Sequence, residues 1–441
     1  MSSNKKTKEP GKQLKTLGRL KKATTAIEVL FGVLFIIAAV ILFVPGVKTQ
    51  IIKGMAENAM GQKIISWFGS EAYADSVFDK NFDTDKLKTN QLKYNYAEEY
   101  TNFVMFGVDS REGAVDTSNS DSILIVSIHN TTGEVKMVSV YRDTMLGICD
   151  ETGNINQYFK VNSAYSGGGP EAAINTLNLN LDLDLKDYVT VNFGGVAEII
   201  NKLGGITVNL TSDELDQLNH HLKSTISSTG EYSPPVKRSG KNVKLNGIQA
   251  TTYCRIRKAT FYDPEMGDAI SNDFGRAARQ RSVIMKLVEK AKKASISELQ
   301  GMVQTVLNNK GEKDNIILTS FTFEEIINLL PIIFDFQLSG SEGFPSNLET
   351  GTFDGVSYVV PSGLSANVTA LHEYLYGEKN YVPTDSVTTV DSAITARTGI
   401  SEYSAGYNPT EIGKNSEPPT EEATTENTDY DYDDKGKSDF Y

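Results

Sequence analysis

The chain has 441 residues, room for two or three ordinary domains, and a formal net charge of −13. That charge is uneven: 11 acidic residues and 3 lysines lie between Ser401 and Tyr441, which leaves the rest close to balance. With no concentrated basic face, a nucleic-acid-binding class is excluded.

In chain order, residues 1–24 carry Lys5, Lys6, Lys8, Lys12, Lys15, Arg19, Lys21 and Lys22 against a single Glu9. Val29 to Val47 is then uncharged and rich in Val, Leu, Ile and Phe. Because about 20 apolar residues in a helix cross a hydrocarbon core about 30 Å thick, residues 25–47 are expected to form one transmembrane helix. The basic flank places the N-terminus in the cytoplasm and the rest of the chain outside. A cleaved signal peptide fits less well, since the nearest Ala-x-Ala, Ala72 to Ala74, is far downstream.

Residues 48–95 read as a juxtamembrane spacer with some helix. Strands are expected at Thr101–Val108, Ser122–His129 and Val135–Val140, the last two joined as a hairpin by the Thr132-Gly133 turn. The Gly167–Gly169 run lacks the Lys-Ser/Thr ending of a phosphate loop and reads as an ordinary loop before a helix over Glu171–Leu179, started by Pro170. Further on, the pattern predicts a strand at Tyr188–Asn192, a helix at Gly194–Leu203, a strand at Gly205–Leu210 and a helix at Asp213–Lys223. Ser224–Asn242, with Pro234-Pro235, reads as a surface loop. Ala250–Arg257 reads as a strand and Arg276–Lys293 as a long helix. Helices are also expected at Ile296–Asn308, Phe323–Phe334 and Ala366–Leu375, with strands at Asn315–Leu318 and Gly355–Val360. Such a mixture gives an α/β domain, placed at 96–377, with helices covering a sheet. Residues 378–441 are rich in Thr, Ser, Glu, Asp, Pro and Tyr and are expected to be a disordered acidic tail.

The chemistry-bearing residues are arginines and aspartates. On a strand, Arg255 and Arg257 would leave the same face. Arg276 and Gln280, four apart, share a helix face, which Asn272 or Asp273 can cap. Arg142 and Asp143 stand at the exit of a strand. Asp109 and Asp121 bracket a polar loop between two strands, where two carboxylates can share a hard divalent cation such as Mg²⁺. His129, His220, His221 and His372 show no metal-ligand spacing, and no nucleophile elbow is present, so covalent hydrolase chemistry is not expected. Cys149 and Cys254 read equally as one disulfide or two packed thiols.

Taken together, FGVDSR, SDSILIVSIH, VSVYRDT, KVNSAY, DYVTVNFGGVAEIINKLGGITVNL, KLNGIQATTYCRIRK and DFGRAARQR, in this order, resemble the LytR-CpsA-Psr family of membrane-anchored cell-wall ligases. The resemblance is strong over about residues 100–290 and looser to about 376. It implies a single extracellular domain layered α-β-α around a mixed central sheet, with an apolar tunnel for a polyprenyl chain. It implies a phosphotransferase that moves an anionic glycopolymer, of the teichoic acid or capsular polysaccharide type, from an undecaprenyl-pyrophosphate carrier to peptidoglycan through a phosphodiester bond. By the same resemblance Asp109 and Asp121 would hold Mg²⁺ or Mn²⁺, and Arg142, Arg255, Arg257, Arg276 and Gln280 would hold the pyrophosphate. Asp109 and Asp143 are the carboxylates available as general base. Two departures stand out: Asn119 and Tyr141 replace the Arg and Pro found in many relatives. The alternatives are a lipid-pyrophosphate hydrolase and a non-catalytic wall-binding or regulatory membrane protein. Thr101–Val108 and Gly194–Leu203 are the segments expected to line the tunnel, beside their ordinary core role. The long Ala259–Ser271 stretch is expected to shape the acceptor groove.

Overall fold

The computed structural model describes residues 79–108, 119–262, 269–293, 317–321 and 337–409. The expected transmembrane helix, the helices at Ile296–Asn308 and Phe323–Phe334, and Asp109 lie outside the described residues, as does the chain from 410 on. Among the described residues no helix is long and apolar enough to cross a membrane.

In chain order the elements are β1 Tyr100–Val108, β2 Ser120–His129, β3 Glu134–Val140, β4 Met145–Cys149, β5 Ile155–Lys160, α1 Ser163–Leu181, β6 Asp187–Asn192, α2 Phe193–Lys202, β7 Ile206–Leu210, α3 Ser212–Thr229, β8 Gly240–Leu245, α4 Gly247–Tyr253, β9 Phe261–Tyr262, β10 Ala269–Ile270, α5 Asn272–Lys293, β11 Ile317–Thr319, β12 Gln337–Phe344, β13 Leu348–Phe353, β14 Val356–Pro361, α6 Leu364–Tyr376 and α7 Asp385–Thr398. The central sheet has the order β11-β6-β1-β2-β3-β12. β1 pairs antiparallel with β2 and parallel with β6, and β3 pairs antiparallel with β2 and parallel with β12, so the sheet is mixed.

Alternation along β1 explains the layering. Phe103 and Met105 enter a core shared with α2, α3, α4 and α5, whereas Val104, Phe106 and Val108 enter a second core shared with α1, α6 and α7. Both faces are thus covered, which is why β1 reads as an almost continuous apolar run. Fully burying a Phe such as Phe103 or Phe106 contributes about 2–3 kcal/mol. Within the segments expected to line a tunnel, these β1 residues and Ala197 and Ile200 of α2 serve the packed cores.

Several expectations need correction. Ala250–Arg257 is not a strand. Asn246 and Gln249 form a reciprocal capping box that starts α4, and the chain turns after Tyr253. Two hydrogen bonds at the helix start outweigh the strand propensity of Thr251, Thr252 and Tyr253. The Gly167–Gly169 loop lies inside α1 as a kink, with Gly168 and Gly169 in non-helical conformations. The expected Ser224–Asn242 loop includes the end of α3 and the start of β8.

The domain also exceeds 96–377 at both ends. Phe82 and Leu87 pack on the second core, and the Lys88 amide donates to Asn175 at 2.7 Å, so residues 79–95 are part of the body and not spacer. Residues 378–409 are folded too. α7 buries Val387, Val390 and Ile394, and Tyr407 pairs with Leu348 as an isolated bridge. That helical apolar spacing is hidden among polar residues, which is why composition suggested disorder.

Cys149 and Cys254 are free, buried thiols, the second of them in the first core. Burial pushes the first up to about 11 and the second up to about 12.

Candidate functional site: a charged rim at one end of the sheet

Three pieces of chain meet where β2 begins and β3 ends. Asp121 is the second residue of β2. Arg142 and Asp143 follow β3 in a turn fixed by its own backbone: the Tyr141 amide donates to Phe344 at 3.0 Å, Thr144 to Tyr141 at 2.9 Å, Asn162 to Arg142 at 3.2 Å and Val359 to Asp143 at 2.9 Å. Tyr141 is a buried anchor for this turn. Its ring packs edge-on against Phe274 at 4.5 Å, and its hydroxyl lies where a side chain on Gly343 would be. Burial raises its phenol to about 12.

The third piece is the first turn of α5. Asn272 takes a positive φ of 56°, a conformation that Asn tolerates. At Gly275 an added Cβ would come within 2.5 Å of the Ile270 carbonyl, so glycine permits the close approach of β10 to the helix. Asp273, Arg276 and Gln280 thereby face the sheet end, lining a narrow cleft together with Asp121, Arg142 and Asp143.

Asp273 is the hub. Arg257 Nε lies 3.0 Å from it, Arg142 Nε 3.5 Å and Arg276 Nη1 3.6 Å. Arg142 Nη1 also pairs with Asp121 at 2.5 Å, and Arg276 Nη2 donates to the Asp121 carbonyl at 3.3 Å. Asp143 takes Lys160 Nζ at 3.0 Å and sits 3.8 Å from Arg142 Nε. Neither Arg142 Nε nor Arg276 Nε has a hydrogen-bond partner among the described residues.

Electrostatics follow from this crowding. Burial works against ionisation of Asp273, but Arg276, Arg142 and Arg257 win and hold its carboxyl below the usual range. For Arg276 burial wins: it is only 6% exposed, and its guanidinium falls to about 10 despite Asp273. Arg142 is raised; burial opposes its charge, and Asp121 and Asp273 overcome that. Four cations and three carboxylates therefore share a partly dry rim, with two guanidinium Nε groups unsatisfied. Planar guanidinium forks of this kind grip phosphate oxygens bidentately.

The structure thus gathers Arg142, Asp143, Arg257, Arg276 and Asp121, with Gln280 on the cleft wall donating to the Cys254 carbonyl at 3.4 Å. Arg255 stands apart from Arg257. Its guanidinium donates to Thr225 Oγ1 at 3.0 Å and lies 4.8 Å from the Phe193 ring centroid. The shared strand face expected for this pair is absent because the segment is a turn after α4. Asp109 lies outside the described residues. Among those described, no group of three or more His, Cys, Asp or Glu residues is arranged to hold a metal ion. Asn119 is exposed and accepts from Ser166 Oγ at 2.6 Å.

Two members escaped the sequence reading. By sequence Asp273 reads as a helix cap, although its spacing of three from Arg276 marks one helix face. Lys160 lies in the KVNSAY segment, and nothing in its local pattern announces a partnership with Asp143.

A mixed α/β domain with an arginine-lined rim at one sheet end is the class that fold and site define. The LytR_cpsA_psr family model matches residues 67–329, and the chain belongs to that family. Among similar proteins is the polyisoprenyl-teichoic acid–peptidoglycan teichoic acid transferase TagU of Enterococcus faecalis, 28% identical over 66% of this chain and 84% of its own. Biofilm regulatory protein A of Streptococcus mutans is 30% identical over 58% of each chain. Among solved structures, protein gbs0355 of Streptococcus agalactiae superposes with a TM-score of 0.52 at 27% identity, covering 65% of this chain and 92% of that one.

Proposed function

We propose that this protein transfers an anionic glycopolymer of the teichoic acid type from a polyisoprenyl-pyrophosphate carrier to peptidoglycan. The observation that carries the reading is the convergence of Arg142, Arg257 and Arg276 on Asp273 beside Asp121, in a chain of this family. Similarity to a transferase named for that reaction supports it.

In the proposed reaction an acceptor hydroxyl attacks the phosphorus next to the glycopolymer. A phosphodiester forms, the diphosphate bridge breaks, and polyisoprenyl monophosphate leaves. Phosphoryl transfer asks a protein chiefly for positioning and charge stabilisation. Arg142 and Arg276 hold the diphosphate oxygens from the cleft wall, and Arg257 closes from the exposed side. Asp143, set beside Lys160, and Asp109 are the carboxylates for the proton of the attacking hydroxyl.

Mg²⁺ or Mn²⁺ is the proposed cofactor. Asp121 offers a hard oxygen donor whose side chain is 25% exposed at the cleft, which fits one ligand of such an ion, with Asp109 as the second. Bound there, the ion would neutralise charge on the diphosphate oxygens. An anchor at residues 25–47, N-terminus inside, belongs to the same proposal, because a polyisoprenyl carrier stays in the bilayer.

The test uses full-length protein, a lipid-linked anionic glycopolymer and peptidoglycan oligomers, with products identified by mass spectrometry. A phosphodiester-linked product is expected. Carrier cleavage at the same rate without acceptor would instead identify a hydrolase, and tight carrier binding without turnover a regulatory binder.

A further inference from the structure

The turn that carries Arg255 and Arg257 has no hydrogen-bonded strand or helix of its own around the two arginines, yet its backbone is held at three points. Arg279 Nη1 donates to the Ile256 carbonyl at 3.1 Å and Nη2 to the Ala259 carbonyl at 2.7 Å, on either side of Arg257. Gln280 reaches the Cys254 carbonyl. The third Arg279 donor, Nε, pairs with Glu214 Oε1 at 2.9 Å, with the two side chains 0% and 2% exposed. Glu214 is itself fixed, since its other oxygen accepts from the Thr211 amide at 3.0 Å in the capping box of α3. The Tyr253 and Phe261 rings lie 5.7 and 5.6 Å from the guanidinium and keep water away. Farther along the same helix, Thr225 Oγ1 accepts from Arg255.

We infer that Arg279, anchored on Glu214, is a positioning residue that aims the Arg257 side chain at a diphosphate, and that Thr225, by holding Arg255, fixes the other end of the same turn. α3 is the rigid frame to which both arginines are referred. The inference rests on the diphosphate reading above. Physically, an exposed arginine on an irregular turn would sample many directions, and a bound anion would have to order it. A buried guanidinium that grips carbonyls on both sides of Arg257 sets the turn beforehand. Lysine at 279 keeps the charge but cannot hold two carbonyls and a carboxylate in the same planar fork. On α5, then, neighbouring arginines do different work: Arg276 faces the ligand, and Arg279, three residues on, faces the loop that delivers Arg257.

The experiment titrates inorganic pyrophosphate into the full-length protein in Mg²⁺ by calorimetry, with melting measured on each variant. Arg257→Ala tests the parent reading and should weaken binding about tenfold or more. Arg279→Lys should weaken it about tenfold, and should add nothing in the Arg257→Ala background, since a misaimed side chain and an absent one are equivalent. Thr225→Val, an isosteric change that removes the oxygen accepting from Arg255 and with it a long 3.4 Å bond to the His221 carbonyl of the same helix, should weaken binding about threefold with little change in melting. Wild-type affinity in folded Arg279→Lys, or an effect that adds fully to that of Arg257→Ala, overturns the inference, because a merely structural role predicts additivity. If Arg279→Lys does not fold, Thr225→Val decides, and wild-type affinity there overturns the inference as well. Unchanged binding by Arg257→Ala sinks the parent reading and this inference with it.

Discussion

Two polar clusters in this molecule are each centred on an aspartate, one among neutral donors and one among arginines, and they are finished differently. Asp182, wholly buried at the end of α1, accepts from Asn90 Nδ2 at 2.6 Å, Thr384 Oγ1 at 2.7 Å, the Thr384 amide at 2.8 Å and the Tyr381 hydroxyl at 3.0 Å. Both of its oxygens are engaged at short range, and the cluster ties the segment after α6 to the body. At the sheet end, Asp273 meets two of its three guanidinium groups only at 3.5 and 3.6 Å, and two Nε donors are left over. A cluster that closes its geometry holds the fold. One that leaves donors unspent has capacity for a ligand, and a buried, incompletely paired cation such as Arg276 costs stability until an anion arrives.

The sharpest way to break this contrast is to remove an arginine from the open cluster. Arg142→Ala and Arg276→Ala should each lower transfer about 100- to 1000-fold while the protein still melts cooperatively, read by product formation and circular dichroism. Retention of more than a tenth of wild-type activity by both would make the rim another structural cluster. The converse is Asp182→Ala, which should cost about 3 kcal/mol of stability, measured by denaturant unfolding, and leave turnover per folded molecule unchanged. Ending the chain after Gly377 removes Tyr381, Thr384 and α7 together and should destabilise more.

Acid sharpens the contrast further. Since the folded-state carboxyl of Asp273 lies below its ordinary value, its contribution to stability is complete above an unfolded value of about 3.9 and is lost as pH falls through the folded value. Asp273→Asn should therefore flatten the pH dependence of melting below about pH 4 and leave the curve near pH 7 without slope from this group; an unaltered acid limb would contradict the pairing. Smallest of all is the thiol effect. Burial raises Cys149 and Cys254 well above neutrality, so reductant or an alkylating reagent at pH 7 should leave activity unchanged.

How much of this was legible beforehand depends on the range of the interaction. The runs at β1, β2 and β3 announce themselves because a sheet covered on both faces needs apolar residues throughout. The DFGRAARQR segment shows Arg276 and Gln280 on one helix face by spacing alone. Local hydrogen bonds were the first failure: Asn246 and Gln249 start a helix where Thr251, Thr252 and Tyr253 suggest a strand, and so Arg255 and Arg257 part company. Sparse apolar spacing was the second, since Val387, Val390 and Ile394 mark a helix face inside a polar stretch. Long range was the third. Glu214 and Arg279 are partners 65 residues apart, and no local pattern records that one will close on the other.

The central claim is that Arg142, Arg257 and Arg276 together form the seat of a diphosphate. The most direct measurement is the rise in melting temperature that a short polyprenyl pyrophosphate produces in the wild type and in each of the three Arg→Ala variants. The account predicts a rise in the wild type that is largely lost in every variant; an equal rise in all four proteins would contradict it.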